Sequence, residues 1–104
     1  MFTIMTEVDL KPGAGPDIAA LFEETNPDLV RDQPDWLGAE MLLDEEADRV
    51  VVIARWRDPD AYRAMAETSA FTDTMQRFAA HFAGPPRVRV LKSAVTMTPE
   101  SLRD

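Results

Sequence analysis

Along the 104-residue chain the spacing of apolar positions changes several times, and each change marks an element. In "FTIMTEVDL" Phe2, Ile4, Thr6, Val8 and Leu10 fall on one side and Thr3, Met5, Glu7 and Asp9 on the other, the alternation of a strand with a mixed second face. "KPGAGP" then punctuates the chain as a turn. From Pro16 the spacing becomes helical, with Ile18, Leu21, Phe22 and Thr25 sharing a face. "NPD" predicts a restart inside this helix, with Asn26 as cap and Pro27 in the first helical position, so a kink or break is expected there. "QPDWLG" closes the helix, "WLGAEMLL" is a second strand, and "DEEAD" is a charged hairpin tip. The third strand, "RVVVIARW", abandons alternation: Val50, Val51, Val52 and Ile53 are all apolar, so both of its sides call for cover.

A second helix opens at "RDPDAYRAM", with Asp58 as N-cap, Pro59 in the first position and Asp60 near the positive end of the dipole. Thr68 and Ser69 interrupt or recap it. Phe71, Met75, Phe78 and Phe82 then share a face, and "GPP" ends the helix. "RVRVLKSAVTM" is the last strand. Residues 2–97 thus form one domain, and 98–104 are a polar tail.

The order strand, helix, strand, strand, helix, strand predicts an α+β fold of ferredoxin-like βαββαβ type. This is a four-stranded antiparallel sheet with the helices on one face. Helices on one face leave the third strand's other side bare. A second copy packed through a symmetric interface covers it most economically, so a homodimer is expected; a loop or the tail over that face is the alternative.

Composition adds mainly exclusions. The hydrophobic and charged fractions, 45% and 29%, are those of an ordinary globular protein. No apolar run has the length of a membrane span, and the N-terminus lacks the basic start of a signal peptide, so no membrane association and a cytoplasmic location are expected. A net charge of −8 repels phosphate backbones and anionic lipid, which argues against nucleic acid as a partner. There is no cysteine and a single histidine, His81, so no thiolate chemistry and no histidine-based metal cluster is expected. Ser69, Ser93 and Ser101 lie in no nucleophile-elbow pattern. "KPGAGP" lacks the lysine of a P-loop and the third glycine of a dinucleotide fingerprint.

What remains is a set of large side chains: Trp36, Trp56, Tyr62, Met65, Phe71, Met75, Phe78 and Phe82. They serve either as plain core or as the lining of a pocket between the second helix and the sheet, where Met is an adaptable wall. The polar groups within reach of such a pocket are Tyr62, Arg55, the indole N–H groups and His81. By the helical period His81 is expected about 80° from Phe71, at the border of the apolar stripe.

A first strand, "KPG", a helix, "PDWLG" where Pro-Gly-aromatic-Gly is more usual, an acidic hairpin and then "VVVIARWRDPDAYRAMAETSAF" together resemble the antibiotic biosynthesis monooxygenase family. The likeness runs from about Phe2 to Met97 and is strongest from Trp56 to Tyr62 and at "SAF", Ser69 to Phe71. It implies a dimeric α/β barrel with a pocket between sheet and helices in each subunit. It also implies oxidation of a small aromatic, hydroquinone or polyketide-like substrate by dioxygen without metal or flavin. A non-catalytic homodimer that binds an apolar metabolite is the alternative. In that scheme His81 is the expected proton acceptor and Tyr62 a further catalytic group, with Arg55, Trp56, Trp36, Met65, Phe71 and Met75 binding the substrate. The haem-degrading branch of the same family carries an asparagine on strand one and a Trp and a His on helix two. Here those positions fall near Val8 and on Met65 and Met75, so haem degradation is disfavoured.

Overall fold

The computed structural model describes residues 1–103; Asp104, the last residue of the expected tail, lies outside them. Four strands, β1 (Phe2–Asp9), β2 (Trp36–Asp44), β3 (Arg49–Trp56) and β4 (Arg87–Lys92), form one antiparallel sheet in the order β2-β3-β1-β4. Three helices, α1 (Gly15–Val30), α2 (Pro59–Ala66) and α3 (Ser69–Ala79), lie on one face, and a 3₁₀ turn at Glu100–Leu102 sits in the tail. This is the expected ferredoxin-like topology.

The alternation in β1 sets which side meets the helices. Ile4 pairs with Ala54, Thr6 with Val52 and Val8 with Val50 across to β3, and Ile4, Val8 and Val50 are buried. The core lies between sheet and helices as two clusters. One gathers Val8, Leu10, Ile18, Leu21, Val50 and Phe78; the other gathers Ile4, Val30, Trp56 and Met65. The second face of β3 carries Val51 and Ile53, half-buried and paired with Glu7 and Met5 of β1.

Three local expectations are corrected. The helix does not restart at "NPD": α1 runs through Pro27 without a break. Residues buried on both sides of Pro27, Leu21 and Thr25 before it and Val30 after it, hold the segment helical against the missing N–H. The second helix does not reach "GPP". It is recapped at Thr68, whose hydroxyl accepts the Phe71 N–H at 3.2 Å, and it ends at Ala79. His81 is therefore not on a helix. The end of β1 claims the chain there: Lys11 donates its Nζ to the Ala80 carbonyl at 2.8 Å and its N–H to the His81 carbonyl at 2.9 Å. Finally, β4 stops at Lys92 and not at Met97. The last β1–β4 pair is Phe2 with Lys92, and the Ser93 N–H donates to the Met1 carbonyl at 3.0 Å just past it.

Candidate functional site

The two core clusters leave a cavity of about 290 Å³ between sheet and helices, near the lower end of what small-molecule sites occupy. Its floor comes from the helix-facing residues of β1, β2 and β3, among them Ile4, Met41, Val52 and Ala54. Its roof comes from α1 through Phe22, Asn26 and Leu29, and from α2 and α3.

The break between α2 and α3 shapes that roof. The Asp58 side chain accepts the Asp60 N–H at 2.9 Å, starting α2 three residues after β3 ends. Tyr62, one turn in, returns over Trp56 with ring centroids 5.9 Å apart and planes at 69°, an edge-to-face contact. Thr68 then closes α2, donating its hydroxyl to the Met65 carbonyl at 2.7 Å, and caps the start of α3. Phe71, Thr74, Met75 and Phe78 of α3 complete the wall.

Of the side chains expected at a site, Tyr62, Trp56, Trp36, Met65, Phe71 and Met75 all line this cavity. Arg55 and His81 do not. Arg55 is exposed, and its strand neighbours Ala54 and Trp56 line the cavity, so alternation turns it to the opposite side of the sheet. His81 is half-buried in the turn after α3, its N–H donated to the Phe78 carbonyl at 2.9 Å. The sequence reading missed Asn26, which lines the cavity instead of capping a helix, as well as Thr6 and Thr74. The spacing Phe22, Asn26, Leu29 was the available signal, since all three share one helical face.

The electrostatics are simple. Among the described residues no Asp, Glu, Lys, Arg or His lines the cavity, and Tyr62 is its single titratable group. Burial pushes the Tyr62 phenol above its ordinary value of 10.0, so it is neutral and able to donate at neutral pH. Thr25 has spent its hydroxyl proton on the Leu21 carbonyl at 2.7 Å. Trp56 is 1% exposed, and its Nε1–H is buried with no acceptor among the described residues. An unmet buried donor costs about 1–3 kcal/mol. Together these groups can hold an apolar, flat molecule and offer hydrogen-bond donors to it, and they carry no fixed charge.

Sequence and structure comparisons place this architecture. The family model for antibiotic biosynthesis monooxygenases matches residues 1–77. The chain belongs to the antibiotic biosynthesis monooxygenase family. The matched span holds every element from β1 to most of α3, and so nearly all of the cavity wall. Among solved structures the chain is similar to SnoaB of Streptomyces nogalater, described as a cofactor-independent oxygenase. The identity is 21% and the TM-score 0.78, over 92% of this chain and 95% of that one. It is also similar to Rv0793 of Mycobacterium tuberculosis, at 13% identity and TM-score 0.75 over 93% and 98% of the two chains. A further antibiotic biosynthesis monooxygenase matches at 22% identity and TM-score 0.74 over 91% and 100%. No curated protein matches the chain. At such identities the likeness of these structures is a likeness of fold, while family membership rests on the family model.

Proposed function

We propose that the chain is a cofactor-independent monooxygenase that oxidises a small aromatic, hydroquinone or polyketide-like substrate with dioxygen. The observation that carries this reading is the cavity: apolar, uncharged and walled by Trp56, Tyr62 and the Met and Phe side chains of α2 and α3. It is supported by membership of the family and by the fold shared with SnoaB, the cofactor-independent oxygenase. The overall step balances without a further reductant. An activated ring methylene and one dioxygen give a ring carbonyl and one water, the substrate supplying all four electrons. The protein's share is to bind and orient the substrate, to exclude water, and to hold an oxygen of the substrate through the Tyr62 hydroxyl.

A second reading is favoured by one feature of the same cavity. No carboxylate or imidazole lines it, and a phenol shifted upward is a poor proton acceptor. On that reading the protein is a non-catalytic homodimer that binds an apolar metabolite.

Dioxygen uptake with a panel of anthrone-like phenols and hydroquinones, on protein freed of metal and with no flavin added, separates the two. The monooxygenase reading expects uptake proportional to protein, with one dioxygen consumed per substrate. It expects Tyr62→Phe to lower turnover about tenfold, the order of one lost hydrogen bond. It expects His81→Ala, which alters a residue outside the cavity wall, to leave turnover within about twofold, less than one such bond. Saturable binding without uptake selects the second reading, and neither binding nor uptake rejects both.

A further inference from the structure

The cavity has two apolar halves, one against each core cluster, and they meet at a polar seam. Thr6 of β1, Asn26 of α1 and Thr74 of α3 line the cavity there, all half-buried and all neutral. Along β1, Thr6 stands between Val8 of the first cluster and Ile4 of the second. Along α1, Asn26 comes one turn after Phe22, packed on the first cluster, and one turn before Val30 of the second. Along α3, Thr74 comes one turn after Phe71, packed on the second cluster, and one turn before Phe78 of the first. Each of these elements passes from one half of the cavity to the other at a polar wall residue.

The fold makes no use of these polar atoms. Thr25 and Thr72, on the same two helices, return their hydroxyls to carbonyls four residues back at 2.7 and 3.3 Å, whereas Thr6, Asn26 and Thr74 have no side-chain hydrogen bond among the described residues. Each holds a wall position where a Val or Leu would bury more apolar surface, and Asn is a weak helix former besides. Unspent polar groups in an apolar wall point to a ligand that meets them. From this arrangement, and resting on the reading of the cavity as the substrate site, we propose that the seam is a polar subsite with Asn26 as its specificity-determining residue. It binds a carbonyl or hydroxyl oxygen carried midway along a flat ligand whose two ends are apolar. The Asn26 carboxamide donates to a carbonyl and accepts from a hydroxyl, so either substituent satisfies it. No charged residue lines the cavity among the described residues, so the oxygen it takes is neutral.

Three flat tricyclic probes test this on the full chain by quenching of tryptophan fluorescence. They are anthraquinone, with both carbonyls on its middle ring, the isomer with both carbonyls on an end ring, and anthracene, with no oxygen. The expected result is that anthraquinone binds about tenfold more tightly than anthracene, the worth of one hydrogen bond. Asn26→Leu removes the carboxamide and suits a helix. It weakens anthraquinone about tenfold and leaves the other two probes within about twofold, whereas a merely structural role would weaken all three alike. A second measurement uses the unaltered protein. Asn26 is the chain's one asparagine, so selective labelling identifies its carboxamide N–H pair. That pair moves downfield with anthraquinone and not with anthracene. Equal affinity for anthraquinone and anthracene with an unmoved Asn26 pair overturns the proposal and leaves the cavity reading intact. A loss in Asn26→Leu that all three probes share, or that is larger for the end-ring isomer, also overturns it. If none of the three binds, the proposal falls together with the reading of the cavity on which it rests.

Discussion

Tyr62 is the chain's one tyrosine, and it sits in the cavity wall, so the phenol reports on the site without labelling. Burial raises its folded pKa above 10.0. The stability this contributes is complete below the unfolded value and is lost as pH rises through the folded one. Tyrosinate absorbance should therefore appear at higher pH in the native protein than in urea, and the protein should lose stability over that alkaline range. Coincident native and unfolded titrations would contradict the burial. The cavity wall was legible in the sequence where local period decides orientation. Trp36, Trp56, Tyr62, Met65, Phe71 and Met75 hold apolar positions, and the fold turns them inward together. Arg55 was expected at the site, although its alternation parity, opposite to that of Trp56, turns it to the other side of the sheet. His81 was not legible. Its place depends on two hydrogen bonds from Lys11, about seventy residues earlier in the chain, which no helical wheel can show.

Among the elements, α2 depends most on its cap, being only 8 residues long. Asp58→Ala should lower unfolding free energy by about 1 kcal/mol in chemical denaturation. It should also loosen Tyr62, which sits one turn in. Pro27 points the other way. It lies inside α1 with no N–H to give the turn before it, and restoring that bond with Pro27→Ala should raise stability by about 1 kcal/mol. A loss of stability would mean that the proline's restriction of the unfolded chain outweighs the bond. The elements themselves were legible from periodicity, as was the recap at Thr68. Where the reading erred, at Pro27, at the end of α3 and at the end of β4, tertiary packing or pairing outweighed a local signal. The ladder to β1 ends at Lys92, with one further bond from the Ser93 N–H to the Met1 carbonyl, and no residue near Val95 announces that.

For the molecule as a whole, a cluster of three ion pairs among Glu7, Asp9, Arg49 and Arg87 ties the sheet's second face together. Arg87 bonds Glu7, and the Arg49 Nε donates to Asp9 Oδ1 at 2.9 Å. The Arg87 hydrogen bond holds the Glu7 carboxyl below 4.5, and the Arg49 bond holds that of Asp9 below 3.8. Their stabilisation is present above those ordinary values and is lost as pH falls through the lowered ones, so unfolding midpoints should drop on acidification below about pH 4.5. Arg87→Ala should flatten that dependence. The same face carries the half-buried Val51 and Ile53, and self-association through it remains our proposal from β3's two-sided apolarity. Sedimentation of Ile53→Asp should show a smaller species than the unaltered chain; equal masses would sink the idea. The tail beyond β4 stands apart from the sheet, with Val95 76% and Met97 73% exposed, and the radius of gyration, 14.8 Å, exceeds the roughly 13 Å of a compact chain this long. β4 itself is an outer strand, and all six of its residues are exposed. Such a strand invites any other chain to extend the sheet. Arg87, Arg89 and Lys92 answer that invitation, because two copies meeting edge to edge would bring their cations together. The chain's total charge is −8, so its general repulsion is anionic while this edge is guarded by the opposite sign. Neutralising Arg89 and Lys92 would make the molecule more negative and, at the same time, readier to stack into ribbons.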